Sequence, residues 1–168
     1  MDKAIISAIE ILATELGAAL KARGFMLTLA ESCTGGMLSQ AITSVAGSSA
    51  WFDRGFITYS NQAKIEMLDV SSHTLEIFGA VSEEIAREMV LGALKHSHAH
   101  IAASITGIAG PDGGSTQKPV GTVCFGFVLN KNSHTATQHF AGNRETIRQK
   151  SVEYALKQLL ALTLKAEI

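Results

Sequence analysis

The residues Glu31-Ser32-Cys33-Thr34-Gly35-Gly36 set a carboxylate, two hydroxyls and a thiol beside two glycines. An apolar run, Phe25-Met26-Leu27-Thr28-Leu29, precedes them, and Met37, Leu38, Ala41, Ile42 and Val45 follow at helical spacing. The pattern predicts a strand, a sharp polar turn and a helix. Such a turn presents unpaired backbone N–H groups at the positive end of a helix, and glycines let a ligand approach the backbone. Two readings stay open on these residues alone. Ser32 or Thr34 is a helix cap, or the turn holds a nucleophile. Cys33 has the same duality: a thiol activated at a helix N-terminus, or a small apolar filler.

A serine hydroxyl needs a base, and Lys64 is a candidate. It would have to be neutral, so its pKa must fall from about 10.4 toward ~7–8 through burial or a nearby charge. Its setting, Ala63-Lys64-Ile65 at a strand-to-helix junction, permits burial, although a solvated helix lysine is the commoner alternative. Tyr59, just before it, can relay or orient a proton, or serve as an ordinary strand aromatic. Further on, Thr106-Gly107-Ile108-Ala109-Gly110-Pro111-Asp112-Gly113-Gly114 has four glycines in nine residues. Successive N–H groups in such a loop can form an anion-binding nest. The loop has neither the Gly-Lys-Ser/Thr ending of a phosphate-binding loop nor the dinucleotide glycine spacing. A long connection without a site role is the alternative. Arg144 and Arg148 fall in the first turns of the last helix, where the dipole disfavours cations. A bound anion would offset that conflict, and solvation is the other explanation. The run His96-x-His98-x-His100 straddles a helix end and a strand start, so it reads as a solvated cluster rather than a metal site.

These residues must be positioned by regular elements. Ile5, Ile9, Leu12, Leu16 and Leu20 predict a first helix ending at Gly24. A strand over 25–30 leads to the Ser32 turn, and a helix over about 34–46 follows it. Residues 55–60 read as a strand, 65–68 and 71–78 as short helices. Ser82-Glu83-Glu84 opens a clearer helix. Residues 100–105 and 120–129 read as strands, Asn130-Lys131-Asn132 as a tight turn, and 133–140 as its hairpin partner. Asn143 caps a last helix. The order α-β-α-β-α-α-α-β-β-β-α predicts a three-layer α/β/α sandwich around a mixed, partly parallel sheet with a late antiparallel hairpin. Ligand sites in such sheets lie beyond the carboxyl ends of parallel strands. If the early strands are parallel, the Ser32 turn, the 60–64 segment and the 106–114 loop share one edge.

With 168 residues and no visible linker, a single domain over 1–168 is expected, with a substantial core. Apolar residues at 46% and charged ones at 17% fit a globular chain. A net charge of −1 with scattered Lys and Arg argues against a nucleic-acid-binding surface. No apolar run approaches the roughly 20 residues that span a bilayer. The N-terminal segment lacks a signal-peptide core, so a cytoplasmic protein is the expectation. Two cysteines, Cys33 and Cys124, show no metal-finger spacing and are too few for a disulfide scaffold.

Six motifs, in order, resemble the CinA carboxy-terminal domain family: Ala30 to Gly36, Gly47-Ser48-Ser49, Tyr59 to Lys64, Gly79 to Ser82, Thr106 to Gly114, and Lys118 to Val123. The likeness covers about residues 5–163 and is to the form that stands without the amino-terminal domain. It implies an enzyme that hydrolyses the carboxamide of nicotinamide mononucleotide to nicotinate mononucleotide and ammonia, in pyridine nucleotide recycling. It implies Ser32 as nucleophile, Lys64 as base and Tyr59 as an auxiliary proton-handling residue. Thr34, Gly35, Gly36, Ser48, Asn61, Thr106 and Gly107 would line the substrate site. The dipole argument adds Arg144 as a candidate for the phosphate. No metal or cofactor is required by that chemistry, and a homodimer or higher homo-oligomer is expected, without nucleic acid or membrane. The competing readings are a non-catalytic nucleotide-binding or competence-related module, which would not need Ser32, Tyr59 and Lys64 together, and a Cys33-dependent hydrolase.

Overall fold

Five strands form one sheet in the order β2-β1-β3-β4-β5: β1 (Leu27–Glu31), β2 (Phe52–Ile57), β3 (Ile101–Gly107), β4 (Thr122–Leu129) and β5 (Asn132–His139). A computed structural model describes residues 2–166 of the chain. β1 pairs in parallel with both β2 and β3, whereas β4 runs antiparallel to β3 and β5 antiparallel to β4. The expected mixed sheet with its late hairpin is the observed one.

The helices are α1 (Lys3–Arg23), α2 (Met37–Thr43), α3 (Asn61–Leu68), α4 (Ser72–Phe78), α5 (Glu83–Lys95) and α6 (Arg144–Lys165), with a 3-10 turn over Ser48–Ala50. Side-chain caps start most of them, including the expected ones at Ser82 and Asn143. Asp2, Ser60, Ser71, Ser82 and Asn143 each accept from a backbone N–H two or three residues on. Gly24, in the left-handed region at φ 65°, closes α1.

The central strands are buried along almost their whole length, because helices cover both faces. On one face, Leu27, Leu29, Ile101, Ala103, Ile105, Val123, Phe125 and Phe127 pack in one cluster with Leu16 and Leu20 of α1, Leu38 and Ile42 of α2, and Val152, Leu156 and Leu159 of α6. On the other, Ala30 packs with Leu68, Ile85, Met89 and Ala93. α5 comes so close that a Cβ on Gly126 would lie 2.4 Å from the Ala86 carbonyl. The Ser104 hydroxyl donates to that same carbonyl at 2.6 Å.

Several element boundaries differ from the sequence reading: β2 covers Phe52–Ile57 rather than 55–60, and two helices differ as well. α2 covers only Met37–Thr43, shorter than 34–46, and α3 begins at Asn61 rather than Ile65. The two helix differences bear on the site below. Among the described residues no helix is long and apolar enough to cross a membrane.

Candidate active site

In the parallel part of the sheet, Glu31 stands abreast of Ile57 on one side and Ile105 on the other. The next residue of each strand therefore lies on one rim: Ser32, Thr58 and Thr106. Two backbone hydrogen bonds extend the pairing onto that rim, Ser32 N–H to Ile105 O at 3.0 Å and Thr58 N–H to Glu31 O at 2.8 Å. The three loops singled out in the sequence thus share the carboxyl edge of β1, β2 and β3.

The chain turns sharply after Ser32. Gly35 N–H returns to Ser32 O at 3.0 Å and Met37 N–H to Thr34 O at 3.0 Å. Gly35 and Gly36 hold φ values of 55° and 97°, which a side chain would strain. Neither Ser32 nor Thr34 caps the helix that follows. The N-cap position is Gly36, and the buried carboxylate of Glu31 reaches across the turn instead. It accepts from the N–H groups of Gly36 (3.1 Å), Leu38 (3.1 Å) and Ser39 (2.7 Å), and from Ser39 Oγ (2.7 Å). A carboxylate at this end of a helix meets the positive end of its dipole. Because Glu31 does the capping, α2 starts late and the Ser32 hydroxyl is left for other work.

That hydroxyl meets Lys64. Ser60 caps α3 through Ala63 N–H at 3.0 Å, so the helix begins at the rim and its first turn points Lys64 inward. Lys64 is only 1% exposed, and its Nζ donates to Ser32 Oγ at 3.0 Å and to Thr58 O at 2.9 Å. Among the described residues no carboxylate lies within ion-pair distance of it. Burial pushes its pKa below the ordinary lysine value. Ser32 keeps 8% exposure, so its oxygen can be reached from outside. The neighbouring Cys33 thiol is pushed up to about 12, first by burial. It stays protonated at neutral pH, which removes the thiolate a cysteine nucleophile needs.

Tyr59 sits further out, 61% exposed. Its hydroxyl accepts from Arg144 Nη2 at 2.9 Å, and Arg144 Nη1 donates to Gly110 O at 2.8 Å. Arg144 therefore ties the start of α6 to the glycine-rich loop and to the end of the β2 connection. Arg148, one turn on, donates from Nε to Cys33 O at 3.1 Å and from Nη2 to Thr34 O at 2.8 Å. Carbonyl oxygens of the Ser32 turn, rather than solvent, receive this second cation.

Of the other expected site residues, Asn61 is exposed at the first position of α3, on the same rim. Thr34 is buried and its Oγ1 has no partner. Thr106 sends its hydroxyl to Ala80 O at 2.7 Å, away from Ser32. Ile108 N–H bonds Thr122 O and Ile105 O accepts from Ser32 N–H. Alternation along β3 therefore turns the N–H of Gly107 toward β1, just past its last paired residue. Ser48 does not join the group. It lies in the connection before β2, where Trp51 O receives the N–H of Leu27, the first residue of β1. That is the amino edge of the sheet, so within one chain Ser48 is on the opposite side from Ser32. A cavity of about 560 Å³ lined by Leu129, Asn130, His134 and Leu162 also lies by the β4–β5 turn, remote from Ser32.

The sequence had marked Glu31 only as a nearby carboxylate and had given Thr58 no role. No local signal marks Glu31 as the cap, because Thr34, itself a capping residue type, stands directly before the two glycines. The histidine run disperses. His96 Nε2 lies 2.6 Å from Asp69, the His98 N–H bonds Asp53, and His100 Nδ1 accepts from Met26 N–H.

A family model described as the CinA C-terminal domain matches residues 9–163. A protein named nicotinamide-nucleotide amidohydrolase PncC from Enterobacter agglomerans is 57% identical over 151 residues, covering 89% of this chain and 92% of that one. The protein of the same name from Escherichia coli K12 is 53% identical over 149 residues, covering 88% and 90%. The crystal structure of competence/damage inducible protein CihA from Agrobacterium tumefaciens superposes with a TM-score of 0.91 at 46% identity, covering 92% of this chain and 95% of that one.

Proposed function

The chain belongs to the CinA C-terminal domain family, and on that premise we propose that it hydrolyses the carboxamide of nicotinamide mononucleotide, with Ser32 as nucleophile and Lys64 as base. The relatives named nicotinamide-nucleotide amidohydrolase support the substrate. One observation carries the mechanism: Lys64 Nζ is buried, has no carboxylate partner among the described residues, and lies 3.0 Å from Ser32 Oγ. A lysine serving fold stability alone is far better placed at the surface, since burying an ammonium is costly.

Neutral Lys64 takes the Ser32 proton as Oγ bonds to the carboxamide carbon. The resulting oxyanion is received by backbone N–H groups. Those of Cys33 and Thr34 bond no backbone carbonyl among the described residues, and that of Gly107 faces the same rim. Each such donor contributes about 2.7–4 kcal/mol in comparable acyl-transfer sites. As the tetrahedral intermediate collapses, protonated Lys64 gives its proton to the departing nitrogen, and ammonia leaves an ester on Ser32. Water then attacks that ester with Lys64 again as base, releasing nicotinate mononucleotide and regenerating the hydroxyl. The sum is one water consumed and one ammonia formed. Tyr59, held by Arg144 rather than by Ser32 or Lys64, suits orienting the substrate at the mouth better than relaying this proton. Arg144 keeps N–H groups beyond its two bonds for the phosphate.

The test is ammonia release from nicotinamide mononucleotide by wild type, Ser32→Ala, Lys64→Met and Cys33→Ala. The proposal requires loss in the first two variants and retention in the third. Full activity in Ser32→Ala would overturn it. Arg144→Ala should raise KM far more for the nucleotide than for a nicotinamide substrate without phosphate, and equal effects would remove the phosphate role. Self-association and cytoplasmic residence, which the family resemblance implies, complete the proposal. Sedimentation of the purified chain tests the former.

A further inference from the structure

We propose that Arg148 is a positioning residue that fixes two peptide units of the nucleophile turn, so that the N–H groups of Cys33 and Thr34 form the oxyanion-binding pair. The inference rests on the Ser32 amidase reading and adds to it a residue on a different element.

The geometry runs through three peptide planes. A trans peptide points its C=O and N–H in opposite directions. Arg148 Nε holds Cys33 O at 3.1 Å, so the N–H of Thr34, in the same plane, is turned away from α6. Arg148 Nη2 holds Thr34 O at 2.8 Å, which fixes the plane that carries the Gly35 N–H. That N–H in turn holds Ser32 O at 3.0 Å, and the plane of Ser32 O carries the N–H of Cys33. One guanidinium thus sets both N–H groups, one directly and one through Gly35. Among the described residues neither N–H bonds a backbone carbonyl, the Cys33 N–H facing only its own thiol, whereas the N–H groups of Gly35, Gly36 and Met37 are all engaged.

The direction is also the useful one. α6 packs with Ile105 and Phe125 on the face of the sheet that carries α1 and α2. Ser32 alternates with Leu29 and Glu31 along the chain, and its Oγ meets Lys64 of α3 on the other side. N–H groups turned off α6 therefore point toward the side on which the reacting oxygen lies. Arg148 is itself well fixed, because its neighbours Ile147 and Gln149 are buried and Ser151 anchors back to Ile147 O at 2.7 Å. A cation on the two carbonyls also polarises their peptides, which strengthens the N–H groups as donors.

The test separates this role from a phosphate-binding or purely structural one. The aldehyde analogue of nicotinamide mononucleotide would add Ser32 Oγ across its carbonyl, with the hydroxyl proton passing to Lys64, and so place an oxyanion where the reaction does. The product acid binds without that oxyanion. Arg148→Ala is expected to lose about 100-fold in kcat and in aldehyde affinity, while KM and product affinity change by less than about twofold. Added guanidinium should restore part of the kcat. Arg148→Lys, which keeps the charge but offers no fork, should fall between, and it takes the place of the alanine variant if that one does not fold.

Equal losses for aldehyde and product would overturn the proposal, as would a change confined to KM or wild-type kinetics. Ser32→Ala is assayed in parallel. If it keeps amidase activity, the underlying mechanism fails and the Arg148 role with it. If it is inactive while Arg148→Ala is normal, only the Arg148 role fails.

Discussion

Two lysine sites in this molecule follow opposite rules. Lys95, at the end of α5, is exposed and pairs with Asp69 at 2.8 Å, and His96 joins the same carboxylate at 2.6 Å. Lys64, in the first turn of α3, is buried, has no carboxylate, and spends its hydrogen bonds on a serine hydroxyl and a backbone carbonyl. At the first site charge meets charge in water, where ion pairs contribute little. At the second, burial works against the charged form and lowers the pKa. The difference teaches where to look for chemistry. The group held in an unfavourable state is the one whose proton is easily moved, whereas the satisfied cluster is interchangeable with other solvated side chains.

The contrast can be tested by removing one member at a time. Ser32→Ala and Lys64→Met should have the largest effects, with kcat reduced by about 10³-fold or more in an ammonia-release assay. Lys64→Met should also raise the melting temperature, because a methionine of similar length has no ammonium to desolvate. The shift would be about 2–4 °C for each kcal/mol recovered in a chain of this size. A large fall in both activity and stability would indicate that Lys64 mainly serves the fold.

The pH dependence should follow with the same sign logic. The base works when neutral, so kcat/KM should rise with pH and level off through the lowered pKa of Lys64, below the ordinary lysine value of 10.5. Between that folded-state pKa and the unfolded value, the unfolded chain binds the extra proton, so stability also climbs with pH across this window. Below the window both forms are protonated and the burial cost is present in full. Lys64→Met should flatten that stability slope, and a slope that persists would assign it to another group.

Glu31→Gln comes next. Its amide would turn an NH₂ group toward donors that now meet only oxygens. A drop of about 10–100-fold in kcat is expected, with a smaller change in KM; a change in KM alone would separate the cap from the chemistry. The smallest effect should come from Lys95→Ala and from Asp69→Asn, which keeps a residue type suited to the left-handed backbone at 69; both should leave kcat, KM and the melting temperature unchanged. A kinetic effect there would end the contrast between the two lysine sites.

Much of the fold was legible because it is written in local patterns. The element order follows from helical spacing in α1 and α5, continuous apolar runs in β3 and β4, and caps at Ser82 and Asn143. Ser32 and Lys64 are open candidates from residue type alone, and only the family resemblance chooses them over their alternatives. Ala63-Lys64-Ile65 looks like an ordinary helix surface, and what buries the lysine is the Thr58 carbonyl and the Ser32 rim brought together by parallel pairing of β1 and β2. The cap of α2 escaped because a residue before the glycines supplies it across a turn, where a Ser or Thr at the helix start is the usual signal. Ser48 was grouped with the site by motif, although a connection that precedes a parallel strand lies at the edge opposite the one that follows it. The arginines of α6 were recognised as out of place for the helix dipole, but their partners, the carbonyls of Cys33, Thr34 and Gly110, depend on tertiary packing that no local pattern encodes.

The most direct test of the central claim is to trap the covalent intermediate. Wild-type protein mixed with nicotinamide mononucleotide and quenched within the first turnovers should carry the acyl group of the substrate as an ester on Ser32, read by mass spectrometry of the intact chain and its peptides. Hydroxylamine should divert that ester to the hydroxamate. Ser32→Ala should give neither adduct nor hydroxamate. Ammonia release at the wild-type rate by Ser32→Ala, or an adduct on Cys33 in place of Ser32, would contradict the account.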